Sequence, residues 1–126
     1  MKKLILLFFI ILSYGFSYQS NIKGIYAIGI FDSSGKGENI QHLRKTKADY
    51  NGTCYTKVFV YGNSLKIKPQ VKIGNSIGHY QSSRPIFSPR KIKIGEELLY
   101  KHYNVSNGLI KVTFRNKLYD SKVYVK

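Results

Sequence analysis

The residues able to do chemistry are few and scattered. Cys54 is the single cysteine, and His42, His79 and His102 are the only histidines. General acid/base work needs two groups that converge on one substrate. Glu96 and Glu97 are the only neighbouring carboxylates, and in an extended segment adjacent side chains point to opposite faces. They read as surface groups. The histidines lack metal-ligand spacing and nothing resembles HExxH or CxxC, so no metal site is expected. Residues 35–40 (GKGENI) lack the GK[ST] ending of a phosphate-binding loop, and no cofactor is expected. Cys54 is open to three roles: a buried small hydrophobe, a partner in an intermolecular disulfide, or a reactive thiol that meets a histidine in space.

Two segments match the N-x-[ST] acceptor pattern for glycosylation, Asn51-Gly52-Thr53 and Asn104-Val105-Ser106. Asp49 stands two residues before Asn51, and DYNGT resembles the acid-containing acceptor sequence used by some bacterial periplasmic oligosaccharyltransferases. Asn51 is the better acceptor of the two; its alternative reading is an ordinary turn residue.

Cations dominate the remaining polar side chains. There are 21 Lys and Arg against 6 Asp and Glu, a net charge of +15. A field of that size draws anionic partners such as nucleic acid, lipopolysaccharide, phospholipid head groups, teichoic acids or sulfated glycans, without choosing among them. A surface built only for solubility mixes both signs, yet no acid occurs between Asp49 and Glu96. The expected anion-binding face comprises Lys57, Lys66, Lys68, Lys72, Arg84, Arg90, Lys91, Lys93, Lys111 and Arg115. Tyr55, Phe59, Tyr61 and Tyr80, interleaved with these lysines, could supply stacking platforms for single-stranded nucleic acid or sugar rings. The competing reading is a solvated sheet surface in which lysine discourages edge-to-edge aggregation.

The elements that must carry these groups are strands. Lysines alternate with Val, Ile and Phe at period two around positions 57–60, 65–68, 71–73, 91–94, 111–115 and 122–126, which puts apolar side chains on one face and basic ones on the other. Residues 24–31 (GIYAIGIF), apolar on both faces, read as a central strand. Residues 32–37 form a turn, and 38–50 support at most a short helix or a long loop. Residues 53–61 form a strand that should pair as a hairpin with 65–68 across 62–64. Residues 71–73 should pair with 77–80 across Gly74, Asn75 and Ser76. Residues 81–90 hold two prolines and read as a long surface loop. Residues 98–105 fit strand and helix templates equally poorly, and 109–126 should form a hairpin turning near 116–119. Seven to eight short strands predict an all-β fold, a small antiparallel sandwich or barrel.

The N-terminus sets the compartment. Lys2 and Lys3 precede the unbroken apolar run 4–12 (LILLFFIIL), which has the length of a secretion signal and is too short to span a bilayer. Small residues Gly15 and Ser17 place cleavage after Ser17; an uncleaved anchor is the alternative. The expected organisation is therefore a signal peptide, 1–17, and one basic all-β domain, 18–126. Without Lys2 and Lys3, 19 cations against 6 acids leave +13. These features point to a secreted or periplasmic non-enzymatic binding protein for an anionic surface or polymer, with nucleic acid and peripheral membrane contact among its candidate partners. The alternatives are a secreted cationic toxin or bacteriocin-like effector and a cell-wall hydrolase or transpeptidase built on Cys54.

Overall fold

A computed structural model describes residues 22–62 and 66–126. The expected signal peptide and the connection 63–65 lie outside the described residues. The described residues form nine strands: β1 (Ile22–Asp32), β2 (Gly37–Asn39), β3 (Gly52–Gly62), β4 (Gln70–Ile73), β5 (Ser76–Phe87), β6 (Lys93–Val105), β7 (Gly108–Phe114), β8 (Lys117–Asp120) and β9 (Tyr124–Val125). They make one antiparallel sheet in the order β2-β1-β3-β6-β5-β4-β7-β8, with β9 on β7. The sheet curls into a half-barrel rather than dividing into two stacked layers.

Alternation builds the two faces. Along β3, Cys54, Thr56, Val58 and Val60 are buried, while Tyr55, Lys57, Phe59 and Tyr61 point outward. Antiparallel partners share a face. The pairs Val58↔Leu98, Thr56↔Tyr100 and Cys54↔His102 therefore carry the inner face onto β6. Ile25, Ile30, Ile73, Ile110 and Val112 complete the concave core. In β1, bulges between Ile22 and Gly24 and between Ala27 and Gly29 shift the alternation, which is why that segment looks apolar on both sides.

Of the two alternatives for residues 38–50, the long loop is the one that forms, after the short strand β2. The loop is gathered by Glu38, whose carboxylate accepts from the Lys47 and Ala48 N–H groups and the Tyr50 hydroxyl. Several other expected elements are corrected. Residues 66–69 are not a strand, and β3 pairs with β1 and β6 instead of with them. Residues 81–87, expected as loop, extend β5. That half of β5 is largely exposed on both faces and pairs only with β6, so it lacks any apolar period, and Pro85 is tolerated because an edge strand needs no second donor. Lys91 belongs to a tight turn closed by Ser88 and Ile92, with φ of 62°, and strand resumes only at Lys93. Residues 98–105 are strand throughout. The last hairpin turns at Arg115 and Asn116, both at positive φ as a two-residue hairpin loop requires, and beyond β8 the chain runs on along β7 as β9, with Leu109 paired to Tyr124 and Gly108 to Val125.

The open side is sealed without a strand ladder. The segment 44–50 runs beside the C-terminus: Thr46 N–H donates to Tyr124 O, Tyr124 N–H to Arg44 O and Tyr50 N–H to Lys126 O. Between β1 and β8, the Asp120 carboxylate takes the place of a backbone acceptor for the Ala27 N–H, at 2.9 Å.

Candidate functional site

The convex face of β1-β3-β6-β5 gathers aromatic rings and cations. Register places Tyr26 beside Phe59, Phe31 beside Tyr55, and Tyr55 beside Lys101. Tyr26, Tyr61 and Tyr103 remain 43%, 38% and 47% exposed. The rings lie low because glycines make room: a Cβ on Gly24 would strike the Tyr26 ring, and one on Gly95 would strike Phe59 and the Val60 carbonyl. Cations sit against these rings. Lys23 Nζ is 5.3 Å from the Tyr61 centroid, Lys57 Nζ 4.8 Å from Phe31, and Lys101 Nζ 5.0 Å from Tyr103 and 5.7 Å from Tyr55. Interaction with the Tyr103 and then the Tyr55 hydroxyl raises the Lys101 pKa, so its charge is secure.

Of the four residues expected as stacking platforms, Tyr55, Phe59 and Tyr61 share this face. Tyr80 does not. It pairs with Tyr100 on the opposite side of the sheet, centroids 6.0 Å apart, with Lys68 Nζ 5.5 Å above it.

The ten cations expected to form one face separate into clusters. Lys57 and Arg84 lie on the convex face and converge on Glu97, at 3.7 Å and 3.2 Å, with Arg84 presenting both Nε and Nη2 to the carboxylate. Contact with that carboxylate raises the Arg84 pKa. Lys68 and Lys93 converge on Glu96 at the concave edge, at 3.4 Å and 3.1 Å. Lys66 is exposed in the 66–69 loop, and Arg90 and Lys91 are exposed in the β5–β6 turn. Lys72 and Lys111 are direct cross-strand partners on β4 and β7, a pairing of like charges that costs stability. Arg115 lies in the β7–β8 turn, 5.3 Å from the Phe114 ring. Adjacent Glu96 and Glu97 do face opposite sides, Glu96 beside Lys68 and Lys93 and Glu97 beside Lys57 and Arg84.

Sequence reasoning missed Lys23, Lys101, Tyr26, Phe31 and Tyr103. For Lys101 and Tyr103 a signal existed: strand alternation through 100–103 puts Tyr100 and His102 inside and Lys101 and Tyr103 outside, but the segment's helix-like apolar spacing obscured it. For Tyr26 and Phe31 the β1 bulge hid the period.

Cys54 and His102 meet as cross-strand partners, both fully buried. Their environment suits packing rather than nucleophilic catalysis. Burial pushes the Cys54 thiol up to about 12 and the His102 ring down to about 4, so near neutrality neither is ionised. The Thr56 hydroxyl lies 2.8 Å from His102 Nε2, while among the described residues Nδ1 has no partner in hydrogen-bonding geometry. A disulfide between chains through Cys54 would require the core to open. Asn51 is exposed beside Gly52 at the entry to β3. Among the described residues, no three His, Cys, Asp or Glu side chains come together as metal ligands.

At the β4–β5 end, the convex face runs into an open groove of about 390 Å³. Tyr103 and His79 stand at its edge, in edge-to-face contact at 5.5 Å, and the Ser76 hydroxyl donates to the Tyr103 carbonyl. A smaller cavity of about 220 Å³ lies over the β1–β8 seam, where Tyr26, His42 and Asp120 contribute to its lining. Comparison with protein-family models, with curated proteins and with solved structures finds no match to this chain.

Proposed function

We propose that this protein is a non-enzymatic binding domain, exported by its N-terminal signal, that holds an anionic polymer against the convex face of β1-β3-β6-β5. One observation carries the reading: Lys23 and Lys101 are seated against exposed tyrosine rings on a face whose carboxylate, Glu97, is already engaged by Lys57 and Arg84. Such a surface offers charge for the anion and flat apolar area for its rings, so affinity combines counterion release with stacking. The deep burial of Cys54 and His102 supports binding over thiol chemistry.

The experiment is a salt-titrated panel of DNA, lipopolysaccharide, heparin and peptidoglycan against the purified chain. At least one polyanion binds, and its affinity falls steeply between about 50 and 200 mM salt as several ion contacts release counterions. Tyr61→Ala weakens that complex without moving the thermal midpoint. Absence of binding across the panel, or binding insensitive to salt, overturns the reading.

A further inference from the structure

We infer that the groove at the β4–β5 end is a subsite for a carboxylated sugar residue, so that the anionic polymer held by the convex face is an acidic polysaccharide. This inference rests on the polyanion-binding reading and adds the chemical class of the ligand.

The groove has a suitable size, since small-molecule sites begin at roughly 300 Å³. Its polar lining is mostly neutral. Asn75, Asn104 and Ser106 are exposed there and supply amide and hydroxyl groups that both donate and accept, the complement of a ring bearing several hydroxyls. Tyr103 supplies an exposed aromatic face, and its position is held by the His79 ring and by the hydrogen bond from Ser76 to its backbone. An aromatic platform beside neutral hydrogen-bonding groups is what a sugar ring, with one apolar face and a polar rim, can use.

The charge around the groove specifies the substituent. No Asp, Glu, Lys or Arg lines it. Cations flank it instead: Lys101 lies 5.0 Å from the Tyr103 ring and opposite His79 in the ladder, and Lys72 lies opposite Ile77, with Lys111 as its next cross-strand partner. The like-charge pair Lys72 and Lys111 is unfavourable on its own, and a bound carboxylate relieves that repulsion. The flanking lysines serve any anion; it is the neutral amide and hydroxyl lining that favours a hydroxyl-bearing sugar ring over a nucleic-acid backbone.

Binding of oligogalacturonate, its methyl ester and a single-stranded DNA of matched charge, followed by calorimetry on the full chain, tests the inference. The acidic oligosaccharide binds in a salt-dependent manner, and its methyl ester binds roughly tenfold more weakly, because the ester removes the partner of Lys101 and Lys72. Asn75→Ala and, separately, Ser106→Ala weaken the oligosaccharide roughly tenfold and leave DNA within about twofold. Both positions are exposed, and an unchanged thermal midpoint shows that the variants fold. If DNA binds and the acidic oligosaccharide does not, or if both variants weaken the two ligands alike, the sugar subsite is wrong while the polyanion reading stands. If neither these ligands nor the wider polyanion panel bind, both readings fall.

Discussion

Asp120 on β8 accepts a hydrogen bond from the Ala27 N–H on β1, at 2.9 Å and across 93 residues of sequence. The contact joins the two sides of the half-barrel where no ladder forms. Its other oxygen accepts from the Lys122 N–H at 3.2 Å, which fixes the turn into β9. One carboxylate thus serves the seam and the C-terminal return together.

Replacing Asp120 with Ala therefore leaves a strand N–H without its acceptor in a nearly buried position. The expected loss is about 2–3 kcal/mol, the range for a hydrogen bond to a charged group and for orphaning a buried donor. Asp120→Asn keeps one acceptor oxygen and loses less. Chemical denaturation measures the difference, and amide hydrogen exchange at Ala27 should accelerate in the Ala variant. An unchanged midpoint would mean that the core alone closes the seam.

His102 makes stability depend on pH. Its ring has a pKa of about 4 in the folded chain against an ordinary value of 6.5, because burial disfavours the charged form. Between those values the unfolded chain takes up a proton that the folded chain refuses. Stability is fully present above about pH 6.5 and declines as the pH falls toward 4, by up to about 3 kcal/mol. His102→Gln removes the titration, so its denaturation midpoint should vary less than that of the parent between pH 6.5 and 5. Parallel pH profiles would show that the ring does not contribute.

Cys54 should resist thiol reagents in the native state. Its side chain is fully buried and its thiol is shifted to about 12, so the thiolate needed for reaction is scarce and inaccessible. Reaction with a disulfide reagent is expected only on the timescale of unfolding, accelerating with denaturant. Immediate stoichiometric labelling of the native chain would contradict the placement of β3 against β6.

Glu97 restrains two of the convex-face cations. Glu97→Gln removes the carboxylate that engages Lys57 and Arg84, so affinity for a polyanion should rise several-fold and the salt dependence should steepen by about one to two ion contacts. The ratio of binding constants at two salt concentrations reads this directly. Weaker binding would instead mean that Glu97 holds the two cations in their binding geometry.

How much was legible in the sequence varied with burial. Strands with one wet and one dry face, such as β3 and β7, announce themselves because alternate side chains meet water and core. The outer half of β5 carries no such record, since water reaches both its faces and β6 supplies its pairing. The β1 bulges shift its period, which concealed that Tyr26 and Phe31 face outward. Tyr55, Phe59 and Tyr61, expected together with Tyr80 as stacking platforms, share one strand's outward row with Lys57, but Lys101 and Tyr103, which complete the surface, lie about 40 residues away in the chain.

By itself the sequence determined an all-β chain with an excess of cations, a lone cysteine and a row of aromatic residues alternating with lysine, because these follow from composition and from the two-residue period of an extended backbone. Only the tertiary structure decided which cations meet a carboxylate and which an aromatic ring. Curling the sheet brought Lys57 and Arg84 to Glu97, Lys68 and Lys93 to Glu96, and Lys101 to a pair of tyrosines. Strand register decided these pairings. It brings together side chains that lie far apart in sequence, and at such short range electrostatics depends on distance far more than on total charge.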